Sequence, residues 1–228
     1  MAGQGARFGH RFKPFLTVSG STFIEAAVAP FRDFASEIER LVFVYLDAQE
    51  RDFSVRSKLL EYFPDIPFET VHLANPTRGP AETISAAVKM IGASGPAMIC
   101  DCDHSLDVAP LFDDFRKQDA EAVIPVWPLN PDEIKSWSVA RVDSGIVRSI
   151  AEKSVPEHGA GVPMGVIGCY GFKAIESVAA RADNLRATNF SDVIQQMLEE
   201  QLPVRAATIT RATFFGDPER LARAELSA

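Results

Sequence analysis

Short apolar runs alternate along this chain with segments whose apolar residues recur every three or four positions. Arg40 to Leu46 (RLVFVYL) is dense in β-branched and aromatic residues and reads as a buried strand. Ser54 stands where it can cap a helix whose apolar positions are Val55, Leu59, Leu60 and Phe63. Phe68 to Leu73 reads as the next strand. Pro80 to Ile91 reads as a helix with proline in its first turn. Ala97 to Cys100 is a short strand that runs into Asp101-Cys102-Asp103. Val108 to Arg116 is helical and Ala122 to Val126 extended. This alternation predicts an α/β fold: a Rossmann-like, mostly parallel sheet with helices on both faces. Its connections are right-handed, and ligands bind outside the carboxyl ends of its strands.

The second half has a different rhythm. Ser138 to Val142 and Ile146 to Glu152 flank Asp143-Ser144-Gly145, a hairpin signal. Val166 to Phe172 reads as one strand, followed by a helix from about Lys173. Ser191 is placed to cap a helix over Asp192 to Glu200. Val204 to Ile209 is a late strand, and Pro218 opens a final helix. An antiparallel β segment is therefore expected beside the parallel sheet. With no linker-like or repetitive stretch, residues 1–228 read as a single domain.

Composition narrows the class. The 228 residues carry a formal net charge of −8, which argues against broad nucleic-acid or membrane-surface binding. Three cysteines, Cys100, Cys102 and Cys169, are too few for a disulfide framework and read as reduced thiols. No apolar run reaches the roughly 18–20 residues of a membrane span, and the N-terminus lacks a signal-like apolar stretch. A cytoplasmic enzyme is the expectation.

Candidate chemistry begins in Met1 to Pro14 (MAGQGARFGHRFKP). Gly3 and Gly5 permit close approach of backbone N–H groups to a phosphate, and Arg7 and Lys13 add positive charge. Thr77-Arg78-Gly79-Pro80-Ala81-Glu82-Thr83 is a turn entering a helix, whose free N–H groups can face a ligand. Asp101 and Asp103 end a strand, where paired carboxylates suit magnesium. Cys-x-Cys there is more simply a strand-end pair than a metal site. Ala151-Glu152-Lys153 ends the hairpin, and Lys153 offers a point charge to a phosphate. Gly165-Val166-Ile167-Gly168-Cys169-Tyr170-Gly171-Phe172 carries glycines against which a ligand can lie.

Taken in order, these segments resemble the sugar-phosphate nucleotidyltransferase family, closest to its bacterial capsule-type branch. Gly3, Gly5, Arg7 and Phe8 followed by Lys13-Pro14-Phe15-Leu16-Thr17-Val18-Ser19-Gly20 are similar to that branch's glycine loop and K-P segment. Lys135-Ser136-Trp137-Ser138-Val139, Glu152-Lys153 and Gly216-Asp217-Pro218-Glu219-Arg220-Leu221 continue the likeness. The resemblance implies transfer of a nucleoside monophosphate from a triphosphate (NTP) to a sugar 1-phosphate, with magnesium as cofactor. It implies that Ala2, Gly3, Gly5, Arg7 and Lys13 hold the triphosphate, and that Thr77, Gly79 and Ala81 border the nucleoside. Asp103, with Asp101 second, holds the metal. Glu152 binds a sugar hydroxyl, Lys153 the sugar phosphate, and Gly168 lies against the sugar. Phe214 stands where many members have a second metal-binding aspartate. The family places a buried strand before the glycine loop; with Met1 so close to that loop, the expectation is either a true start upstream or a sheet that closes differently. A phosphocholine-like acceptor, a related glycosyltransferase and a non-catalytic nucleotide-sugar-binding module stay open as alternatives, as does a homo-oligomer.

Overall fold

A computed structural model describes residues 1–3, 8–9, 11–117 and 119–226. In chain order it begins with β1 (Thr17–Val18), β2 (Ser21–Thr22) and α1 (Phe23–Val28). Then follow β3 (Leu41–Leu46), α2 (Asp47–Phe53), α3 (Val55–Tyr62), β4 (Phe68–Leu73) and α4 (Pro80–Ile91). The middle comprises β5 (Ala97–Cys100), β6 (His104–Leu106), α5 (Ala109–Arg116), β7 (Ala122–Pro128), β8 (Ser138–Asp143) and β9 (Ile146–Glu152). The last part holds β10 (Val162–Val166), β11 (Cys169–Phe172), α6 (Ile175–Leu185), α7 (Phe190–Glu199), β12 (Val204–Thr208), β13 (Ala212–Phe214) and α8 (Pro218–Leu226).

These elements form two compact units. The first is Met1–Thr77, Asp101–Asp107 and Arg211–Ala228; the second is Arg78–Cys100 and Val108–Thr210. In the first, β3 and β4 pair in parallel, Leu41 opposite Phe68 through Leu46 opposite Leu73. The intervening α2 and α3 supply the crossover that parallel strands require. Phe43, Tyr45, Val55, Leu59 and Phe63 are buried together with Phe12 and Ile24. A second cluster joins Phe8, Val18, Phe23, Phe215 and Ala224. The entry to α1 is fixed by a reciprocal cap: Thr22 N–H donates to Glu25 Oε2 at 2.8 Å, and Glu25 N–H to Thr22 Oγ1 at 3.3 Å. Antiparallel β6 and β13 pair His104 with Phe214.

The second unit is a seven-stranded sheet ordered β10-β8-β9-β12-β7-β11-β5. Tyr170, Phe172, Ile124 and Ile150 meet Val178, Phe190, Ile194 and Met197 in its main core. Fully burying such a side chain is worth about 1.5–3 kcal/mol. Gly171 leaves room for the Phe115 ring, 3.0 Å from where a Cβ would stand, on the face opposite Tyr170 and Phe172. Helices thus cover both faces.

The mixed α/β architecture matches expectation, but its pairing is less parallel. In the seven-stranded sheet the parallel pair is β7 with β12; the other registers are antiparallel. Between β8 and β9 the cause is a short connection. Ser144 at φ 51° and Gly145 at φ 77° form a two-residue hairpin loop between β8 and β9, and such a loop can only join antiparallel strands. The expected single strand Val166 to Phe172 is broken. Cys169 N–H donates to the carbonyl of Ile167 at 2.7 Å, turning the chain at Gly168 between β10 and β11.

Candidate functional site

In the first unit the site is built around Lys13. Phe12 and Pro14, both buried, anchor the turn Lys13–Phe15 on either side of it. The Phe12 ring stacks on Phe53 and meets Phe15 edge-on. With its neighbours held in the core, Lys13 directs its ammonium at Asp103, Nζ to Oδ2 2.6 Å. Asp103 follows β5 and immediately precedes β6. Its backbone carbonyl accepts from Phe215 N–H at 3.0 Å, and its Oδ1 lies 3.4 Å from Nδ1 of buried His104.

The electrostatics follow from this packing. Loss of hydration alone would raise the Asp103 pKa. The His104 hydrogen bond and the Lys13 charge outweigh it and hold the carboxyl well below the usual range. Burial alone would lower Lys13, yet Asp103 and its neighbours raise it. Asp101 is pushed up, by lost hydration first and then by the Asp103 charge. Lost hydration also pushes the Cys102 thiol up to about 11, which keeps it protonated in the neutral range.

Oxygen donors at Asp103 and Asp101 are of the kind magnesium takes. Among the described residues no group of three His, Cys, Asp or Glu side chains could hold a metal. A magnesium ion here would take its remaining ligands from phosphates and water. Phe214 sits beside His104, ring centroids 6.4 Å apart. Asp217 instead serves α8, its Oδ1 accepting Arg220 N–H at 2.9 Å. Ala2 is part-buried and Gly3 exposed, with the Gly3 carbonyl accepting from Gln49 Nε2 at 2.9 Å. Gly5 and Arg7 lie outside the described residues. Thr77, part-buried, is the last residue of this unit's first segment.

In the second unit, Gly79 precedes α4 and Ala81 is buried in its first turn. Ala81 N–H donates to the Thr188 carbonyl at 3.1 Å. A Cβ on Gly79 would stand 2.4 Å from that same oxygen, so only glycine fits this crossing. Glu82 folds back: its Oε2 accepts from Arg78 N–H at 2.6 Å and Arg78 Nε at 3.1 Å, and these bonds lower its pKa.

Thr188 also lines an open cavity of about 470 Å³ together with Glu152, Arg186, Ser191, Asp192 and Gln195. The glycine turn and the hairpin end therefore meet around one loop. Lys153, exposed, takes φ 54° and donates its N–H to the Trp137 carbonyl at 2.9 Å. Gly168 occupies the turn between β10 and β11. Ser191 does not cap α7; Asn189 stands at the cap position, and its N–H donates to Asp192 Oδ2 at 3.3 Å. The Ser191 hydroxyl instead donates to Glu152 Oε2 at 3.1 Å, as Ser138 does at 2.5 Å. Sequence reading overlooked these two partners of Glu152. The signal available was cross-strand register for Ser138, which pairs directly with Glu152, and none for Ser191.

Known proteins bear on this arrangement in two ways. The profile of the MobA-like NTP transferase domain matches residues 1–200. No functionally curated protein matches the chain in sequence. Among solved structures, a nucleoside-diphosphate-sugar pyrophosphorylase from Vibrio cholerae superposes with a TM-score of 0.81 at 20% identity, covering 99% of this chain and 98% of that one. A UDP-glucose pyrophosphorylase from Acinetobacter baumannii gives 0.77 at 17% identity over 99% and 90% of the two chains. A UTP-bound UGPase from the same organism gives 0.75 at 18%, again over 99% and 90%. At these identities the likeness to the solved structures is one of fold. No helix among the described residues is long and apolar enough to cross a membrane.

Proposed function

Because this chain belongs to the MobA-like NTP transferase family, we propose that it joins a nucleoside monophosphate to a sugar 1-phosphate and releases pyrophosphate. The observation that carries this reading is the 2.6 Å pair of Lys13 and Asp103, which puts a cation from the glycine-loop segment against a strand-end carboxylate. A phosphate oxygen of the acceptor attacks the α-phosphorus. One new phosphorus–oxygen bond forms, the bond to the bridging oxygen breaks, and pyrophosphate departs with the electron pair. No covalent intermediate on the protein is required; positioning and charge stabilisation suffice.

Arg7 and Lys13 bind the triphosphate, with Ala2, Gly3 and Gly5 supplying close backbone. Thr77 and Gly79 border the nucleoside, while Ala81, buried and with its N–H bonded to the Thr188 carbonyl, supports that turn from behind. Lys153 holds the acceptor phosphate, Glu152 accepts a hydroxyl, and Gly168 gives the sugar room. Asp103, with Asp101, would hold magnesium, which when bound neutralises charge on the phosphates. By resemblance to the capsule-type branch, the acceptor is proposed to be a sugar for polysaccharide precursors. Pyrophosphate release from five nucleoside triphosphates against sugar 1-phosphates and phosphocholine tests the reading. Turnover with a sugar phosphate that falls at least about 100-fold in Asp103→Asn supports it; no pyrophosphate from any pair overturns it.

A further inference from the structure

Glu152 ends β9, and two hydroxyls from other elements converge on one of its oxygens. Ser138, its cross-strand partner on β8, donates to Oε2 at 2.5 Å. Ser191, in the first turn of α7, donates to the same oxygen at 3.1 Å. Ser191 is only 2% exposed, and the capping position of its helix belongs to Asn189. A buried hydroxyl needs a partner, and this one has a carboxylate. Among the described residues no side-chain donor engages Oε1. A carboxylate so held has one oxygen saturated and the other, acceptor-only, oriented without freedom to rotate.

Glu152 lines the cavity of about 470 Å³, whose other polar lining includes Thr188, Asp192, Gln195 and Gln196. Its lining residues include no aromatic ring. Quaternary ammonium ligands are recognised by aromatic faces. The carboxylates of Glu152, Asp192 and Glu199, the Arg186 guanidinium and the hydroxyls of Thr188 and Ser191 are a lining that suits a polyhydroxylated ligand instead.

We infer that Ser138 and Ser191 are positioning residues that lock Glu152 so that its Oε1 reads a hydroxyl of a polyhydroxylated acceptor. This rests on the acceptor role given to Glu152 above. The two serines act on acceptor recognition and leave nucleotide binding untouched.

The test uses the full chain with glucose, galactose and mannose 1-phosphates and phosphocholine as probes. Binding is read by calorimetry and turnover by pyrophosphate release. Variants are Ser138→Ala, Ser191→Ala, the double alanine, the threonine pair and Glu152→Gln. The expected result is hexose 1-phosphate binding by the wild type, weakened about tenfold in the double alanine through loss of hydrogen bonds to a charged group. The KM for the sugar phosphate rises while that for the nucleotide stays within about twofold, the pattern of a lost acceptor contact. Threonine restores the hydroxyl and recovers binding, which separates orientation from packing. If Glu152→Gln weakens binding and the double alanine does not, the positioning role fails while the acceptor role of Glu152 stands. If the wild type binds none of the hexose phosphates, or prefers phosphocholine, both fail.

Discussion

Lys13 and Asp103, ninety positions apart in sequence, meet at 2.6 Å with only 27% of each side chain exposed. The contact joins a turn wedged between Phe12 and Pro14 to the loop that leaves β5. Its Coulomb attraction is less screened than that of a surface pair, because both ions are largely withdrawn from water. Lys13→Met should strip the Asp103 charge of its lysine partner and cost about 1–3 kcal/mol at neutral pH. Urea unfolding measures this. A change below about 0.5 kcal/mol would mean that the pair behaves as a solvated one.

The same pair predicts a pH profile. Asp103 titrates below its unfolded value, so its contribution to stability is complete above about pH 4 and lost as pH falls through the lower folded value. Lys13 is raised, so its contribution is complete below about pH 10 and lost only as pH rises beyond that. The pair is intact throughout the neutral range. Asp103→Asn should be less stable than wild type at pH 7 and lose less on acidification from about pH 4 to 2. Parallel urea midpoints for the two proteins across that range would contradict the assignment.

Gly216 gives Asp103 its place. A Cβ there would stand 2.6 Å from Asp103 Oδ2 and 3.1 Å from its Cγ. The carboxylate is already tied to Lys13 and His104, so Gly216→Ala must displace it. The expected outcome is a loss of at least about tenfold in kcat/KM, with destabilisation of about 1–3 kcal/mol. Kinetics and thermal melts together check this; full activity would show that Asp103 tolerates movement.

Gly79 makes a different case, because its obstacle is backbone. A Cβ would meet the Thr188 carbonyl oxygen at 2.4 Å and Thr188 Cγ2 at 2.6 Å. Thr188 cannot retreat without losing its bond from Ala81 N–H. Gly79→Ala should therefore cost about 2 kcal/mol or more and raise the KM for the nucleotide. Chemical denaturation and initial-rate measurements decide it.

Much of this was readable along the chain, and the reasons differ by element. Pro80–Ile91, Ala97–Cys100 and the Ser138–Glu152 hairpin appear where apolar spacing and turn residues put them, because each is specified locally. Asp47–Phe53 is not legible as a helix, because DAQERDF offers few apolar positions to establish a period. Ser54 does stand before α3, but at φ 50° and without a side-chain cap bond. The local sequence allows Ser191 to serve as a cap. Tertiary structure gave its hydroxyl to Glu152 instead. The Lys13–Asp103 pair joins distant segments that no local pattern can connect. Glu82 turns back onto Arg78, a contact that only the folded turn reveals.

Lys153 combines charge with an uncommon backbone, and substitutions can separate the two. At φ 54° a non-glycine residue carries strain of roughly 1 kcal/mol. Lys153→Gly should relieve that strain, and Lys153→Ala should retain it. If the turn geometry alone mattered, glycine would preserve activity. If the ammonium holds the acceptor phosphate, both variants should lose about 100-fold in kcat/KM, while the glycine variant melts no lower than wild type. Arginine keeps the charge but not the compact shape of the ammonium, and should recover only part of the loss. Activity near wild type in Lys153→Gly would remove this lysine from the acceptor site.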